Sequence, residues 1–115
     1  MRKKIYISGP LTSSGNVLDN LNRAMAAARA LIDAGFAPFC PHLTYHVDPT
    51  EEIAHPIWME IELPWLAMAD GVLRLPGESL GAEIEVAEAE RLSIPVFATI
   101  AGLADHFNGT IHAAE

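Results

Sequence analysis

The chain has 115 residues, half of them hydrophobic and 19% charged, the balance expected of one globular domain spanning 1–115. A formal net charge of −8, with three of its seven Lys and Arg at positions 2–4, excludes a basic surface for a nucleic-acid polymer or an anionic membrane. The lone Cys40 has no internal disulfide partner, no apolar run reaches the roughly 20 residues of a membrane helix, and "MRKKIYISG" lacks the apolar stretch of a secretory signal, so a cytoplasmic protein is expected.

Strand and helix signals alternate along the chain. "KKIYISG" (3–9) is a β-branched and aromatic run ending in Gly9-Pro10, a buried first strand. "TSSGN" (12–16) is turn chemistry, and from Val17 to Ala34 the residues Leu18, Leu21, Met25, Ala28, Leu31 and Ile32 keep helical spacing, with Gly35 as the stop. "FAPFCP" (36–41) reads as a second strand shortened by its prolines. Residues 41–56 hold three prolines and three histidines and read as a long loop, with a helical turn expected at 50–54; loops of that length in small domains tend to be functional. "IWMEIELPWLAMAD" (57–70) predicts a second helix with Ile57, Ile61, Trp65 and Met68 on one face and a kink or early start at Pro64. "GVLRLP" (71–76) is the third strand. A third helix follows over 79–93 with Ser79 as its N-cap, "IPVFATI" (94–100) is the fourth strand, and the tail is expected to be helical around 102–107.

This order predicts an α/β fold, a Rossmann-like or flavodoxin-like three-layer sandwich with a mainly parallel sheet of four to five strands. Ligands of such folds sit beyond the carboxyl ends of the strands. That selects residues 8–16, 41–56 and 75–85. In the last stretch Glu78, Glu83, Glu85, Glu88 and Glu90 crowd the start of a helix. Helical periodicity alone favours solvated glutamates, although Glu85, between Ile84 and Val86, falls where a shielded carboxylate could serve as nucleophile or base. In "SGPLTSSGN" the glycines permit close backbone approach and Ser13, Ser14 and Asn16 can donate hydrogen bonds. The segment is neither a Walker loop nor a GxGxxG fingerprint. "HLTYHVD", with His42, His46 and Asp48 near Cys40 and His55, matches no strong zinc spacing and reads better as a cleft lining or surface loop than as a metal site.

Three pieces, "IYISGP", "AARALIDAGFAPFCPHL" and "WLAMADGVLRLPGESLGAEIEVAEAERLSIPVF", resemble the nucleoside 2-deoxyribosyltransferase-like superfamily in the right order over nearly the whole chain. The resemblance implies a catalytic glutamate at Glu85, six residues after Ser79 with Gly81 between them, oriented by Tyr6 of the first strand. It implies an acidic partner at Glu62, eight positions before Asp70, where the family usually carries Asp. It implies cleavage or transfer of the N-glycosidic bond of a nucleoside or nucleoside 5′-monophosphate, with no metal or organic cofactor and with a homodimer or larger assembly closing the site. Substrate contacts are expected from Ser79, Gly81, Gly9, Pro10, Ser13, Ser14, Asn16, His42 and Asp70. Ser79 in place of an Asp, with Ser13, Ser14 and Gly9, would cradle a 5′-phosphate, which favours monophosphates. Two alternatives stand beside this reading. "PGESLGAEIE" partly echoes the lysine-decarboxylase-like phosphoribohydrolases, and a non-catalytic nucleotide-binding module would use the same fold.

Overall fold

Five successive residues at the start of the chain pair with neighbours on both sides and set the frame. They form β1 (Lys4–Ser8), flanked by β2 (Ala37–Phe39) and β3 (Gly71–Arg74), with β4 (Val96–Phe97) beyond β3. The sheet is wholly parallel, in the order β2-β1-β3-β4, with Tyr6 opposite both Phe39 and Val72 and Ser8 opposite Arg74. The computed structural model describes residues 1–12 and 14–114, and side chains up to Phe107.

Strand alternation sends β1 side chains to opposite faces. Ile5 and Ile7 join Leu73, Ala24, Leu31, Phe36, Leu103 and Phe107 in the larger core, beneath α1 (Val17–Asp33) and α4 (Ile100–Ala114). Tyr6 joins Leu66, Val72 and Ala89 in a smaller core beneath α2 (His55–Leu66) and α3 (Leu80–Arg91). Helices on both faces of a parallel sheet make the expected three-layer α/β sandwich of Rossmann or flavodoxin type. Among the described residues no helix is long and apolar enough to cross a membrane.

Local chemistry explains the helix ends. Asn16 caps α1, its side-chain oxygen accepting from the N–H groups of Leu18 (2.8 Å) and Asp19 (3.2 Å). At the other end the Phe36 N–H returns to the Leu31 carbonyl, closing the helix around Gly35 as expected. Ser79 caps α3 by accepting from the Ala82 N–H at 3.1 Å.

Three expectations need correction. The helical turn in the 41–56 region is a 3₁₀ segment at Pro41–His46, not at 50–54, because Pro41 suits a first helical position and Asp48 holds residues 52 and 53 in a turn. α2 starts at His55 and stops at Leu66, earlier than 57–70 at both ends, with Pro56 in its first turn. Its Ile57, Ile61, Trp65 and Met68 stripe lies exposed rather than in the core. The face toward the sheet and pocket is Trp58, Met59, Glu62 and Leu66. A helix apolar on nearly every side leaves periodicity with no face to choose. Pro64 lies in the last turn of α2, and Glu60, whose carbonyl loses the donor that proline lacks, is an exposed residue.

Candidate active site

The strand order reverses between β1 and β3, so a crevice opens beyond their carboxyl ends, at Ser8 and Arg74. A pocket of about 630 Å³ lies there, within the range of small-molecule sites. Gly9 of the β1–α1 loop, the first turns of α2 and α3, and the loop from Thr44 to Ala54 enclose it.

Glu85, one turn into α3, is only 4% exposed at the pocket floor. Tyr6, fully buried, donates its hydroxyl to Glu85 Oε2, and Ser8 Oγ donates to Glu85 Oε1 at 2.7 Å. Tyr6 and Ser8 are two apart on β1, so one strand face delivers both donors to one carboxylate. Glu62, half-buried on α2, brings its Oε1 to 3.4 Å from the same Tyr6 hydroxyl. Three elements distant in sequence thus place two carboxyl groups on one phenol.

Burial and the proximity of the Glu85 charge push the Glu62 carboxyl up to about 8. Burial raises Glu85 as well, opposed by hydrogen bonds from Tyr6, Ser8 and Glu62 that favour its anion. More donors are aimed at Glu85, which favours the negative charge of the pair there and the proton on Glu62. Burial, then the two neighbouring carboxylates, holds the Tyr6 hydroxyl protonated far above the ordinary phenol range. The arrangement is a shielded carboxylate beside a proton-bearing carboxyl, with its orientation set by two hydroxyls, and such a carboxylate is able to act as a nucleophile.

The remaining expected residues divide. Ser79, Gly81 and Gly9 line the pocket. Gly81 stands where a Cβ would come within 3.1 Å of His55 Nε2, and one on Gly9 would meet Leu75 Cβ at 2.8 Å, so the β1–α1 loop packs against Leu75, just past β3, only without a side chain there. Pro10 is buried outside the pocket, against Gly77. Ser14 Oγ donates to the Glu78 carbonyl at 2.8 Å, tying the β1–α1 loop to the β3–α3 turn rather than facing the pocket. Ser13 lies outside the described residues, and Asn16 is spent on the α1 cap. His42, buried behind the pocket, sets Nε2 3.1 Å from the Gly9 carbonyl, and burial lowers its pKa. Asp70 accepts from the Lys4 N–H at 2.8 Å at the amino end of the strands, roughly 13 Å of strand away from the site. Of the phosphate cradle expected from Ser79, Ser13, Ser14 and Gly9, Ser79 and Gly9 line the pocket, Ser14 faces the Glu78 carbonyl and Ser13 lies outside the described residues.

Sequence reasoning passed over Ser8, whose signal was the two-residue spacing from Tyr6. It also passed over Tyr45, Glu51, Trp58 and Met59, which line the pocket; Trp58 stands four residues before Glu62 and so shares its helix face. The His42, His46 and Asp48 cluster disperses. Among the described residues no group of three or more His, Cys, Asp or Glu side chains could hold a metal ion.

Several solved structures share the fold. A 2-deoxyribosyltransferase from Bacillus psychrosaccharolyticus matches with a TM-score of 0.63 and 21% identity, covering 81% of this chain and 69% of its own. A conserved protein from Enterococcus faecalis V583 matches with the same score and identity, over 84% of this chain but only 62% of its own length. The resemblance to 2-deoxyribosyltransferases expected from the sequence thus holds at the level of the fold. No curated protein matches the chain. A family model covers residues 3–99, from before β1 to just past β4, and the chain belongs to that family, described as Domain of unknown function (DUF7768).

Proposed function

We propose that the protein cleaves or transfers the N-glycosidic bond of a nucleoside or nucleotide through Glu85. The observation that carries this is the contact of Tyr6 with both Glu85 and Glu62 at the floor of the pocket. A Glu85 oxygen attacks the anomeric carbon as the carbon–nitrogen bond breaks, and its electron pair leaves with the base. The Glu62 carboxyl supplies the proton the departing base needs. Water, or the nitrogen of a second base, then attacks the same carbon, its proton returns to Glu62, and Glu85 is released. Tyr6 and Ser8 keep the carboxylate aimed throughout and remain protonated. The fold shared with a 2-deoxyribosyltransferase supports the same reading.

We also take the active form to be a homodimer or larger. Ile57, Ile61 and Trp65 of α2, with Met68 just beyond its end, are exposed and support this, since apolar surface beside a site marks an interface.

Free base released from nucleosides and their 5′-monophosphates, with and without an acceptor base, tests the chemistry. Glu85→Gln is expected to lower turnover by about three orders of magnitude or more, while Glu83→Gln, on the exposed face of α3, retains it. Equal activity in the two variants overturns the assignment. Tight nucleotide binding with no turnover in the native protein replaces it with a binding module.

A further inference from the structure

A half-buried arginine stands beside the site and has no part in the steps above. Strand alternation on β3 sends Val72 to the α2 and α3 face and Leu73 to the other, so Arg74 returns to the face of Val72. Register then fixes its neighbour. Tyr6 lies opposite Val72 and Ser8 opposite Arg74, on strands roughly 5 Å apart. Ser8 is the residue whose hydroxyl holds Glu85 Oε1 at 2.7 Å. Arg74 is therefore the strand neighbour of a Glu85 donor, on the face that α3 crosses.

Its guanidinium is held in place. One Nη donates to the Leu75 carbonyl and the other to the Gly77 carbonyl at 2.9 Å, on either side of Pro76 in the turn from β3 into α3. The Leu75 N–H donates in turn to the Ser8 carbonyl at 2.7 Å. A planar fork suits two acceptors at once, which a lysine ammonium does not reproduce. Both acceptors are neutral and leave the positive charge in place. Arg74 does not line the pocket, so a substrate bound there does not touch it.

That charge has a use at Glu85. Tyr6 and Ser8 face the carboxylate from β1 and Glu62 faces it from α2, while Asp48, Glu51 and His55 line the same pocket. Burial acts most strongly on the Glu85 carboxyl and opposes its anion; the hydrogen bonds from Tyr6, Ser8 and Glu62 favour the anion. Among the described residues, Arg74 supplies the one fixed positive charge that adds to them. Partly withdrawn from water, such a charge acts over more than contact distance.

We propose that Arg74 is a positioning residue for the reaction: from outside the pocket its fixed charge keeps the Glu85 carboxylate ready for attack, while its two hydrogen bonds hold the β3–α3 turn. This rests on the N-glycosidic reading above, in which Glu85 attacks as an anion.

The test follows kcat/KM for base release against pH in the native protein, Arg74→Gln and Arg74→Lys. The acid limb reports the first loss of a proton from the Glu62 and Glu85 pair. It is expected to move up by roughly half a pH unit or more in Arg74→Gln. In Arg74→Lys, which keeps the charge but not the fork, it should stay near its native position. A limb unmoved in Arg74→Gln, or moved equally in both variants, leaves only a clamp on the turn and overturns the proposal. A second measurement needs neither a variant that folds nor a substrate. In the native protein, followed by NMR, the Arg74 Nε signal should shift with the same midpoint as the Glu85 carboxyl carbon. An Arg74 signal that stays flat while Glu85 ionises overturns the proposal as well. Should no nucleoside or nucleotide release base, the glycosidic reading fails by itself, and the NMR titration still decides whether Arg74 acts on Glu85.

Discussion

At the scale of single residues, what distinguishes Glu85 from the other glutamates of its helix is company. Glu83 and Glu90 are exposed, and Glu88 pairs with Arg91 at 2.8 Å on the surface, where water screens the contact. Glu85 alone meets Tyr6 and Ser8. The proton on Glu62 gives two consequences in pH. If Glu62 protonates the leaving base, kcat/KM falls as pH rises through about 8, and Glu62→Gln removes that limb along with most activity. For stability, a carboxyl raised from 4.5 to about 8 binds a proton in the folded state that the unfolded chain has already lost. Its contribution is complete below pH 4.5 and is lost as pH rises through 8. Thermal melts of Glu62→Gln and the native protein should therefore diverge in favour of the variant between pH 5 and 9. A gap that stays flat over that range speaks against the elevated carboxyl.

At the scale of elements, the site depends on how helices begin and turns close. Ser79→Ala removes the α3 cap and is expected to cost about 1 kcal/mol, and it should lower activity too, since α3 carries Glu85 one turn further on. Asn16→Ala removes a comparable cap from α1 at similar cost and leaves the pocket lining intact, so comparing the pair separates loss of fold from loss of site. Gly77 turns the chain from β3 into α3 with a φ of 116°, and a Cβ there would lie 2.8 Å from Pro10 Cγ. Gly77→Ala should cost roughly 1–3 kcal/mol and shift the β3–α3 turn against the β1–α1 loop. Unfolding curves in denaturant give these values directly, with an unchanged slope confirming that the native state alone is affected.

At the scale of the whole molecule, the two faces of the sheet do different work. The α1 and α4 face holds the larger apolar core, while the α2 and α3 face places a phenol, a serine hydroxyl and two carboxyls among few buried apolar side chains. The ring of Tyr6 stacks on Phe39 and Phe39 on Trp65, each at 5.7 Å, so a line of aromatic rings runs from the site to the exposed α2 stripe. An interface on that stripe would support Tyr6 from behind. Trp65→Glu is expected to convert the assembly to a monomer in sedimentation, with a loss of activity that higher protein concentration partly restores. A native chain that sediments as a monomer at micromolar concentration rules out the assembly.

Much of this architecture was legible in the chain because it follows from short-range rules. Buried β-branched runs, turn residues and capping side chains act within a few positions, and they placed the four strands, the α3 cap, and the ligand edge near Glu85. The 3₁₀ segment and the orientation of α2 were not, because Pro41 and Asp48 act through bonds that local spacing does not show and α2 is apolar almost all round. Local rules did not reach the company of Glu85, which only the family resemblance implied: Tyr6 and Glu85 are 79 residues apart and meet only when β1 and α3 cross at the switch point. The loop at 48–53 is the clearest case. Its acidic residues were in plain view, but only the fold turns Asp48 and Glu51 toward the pocket.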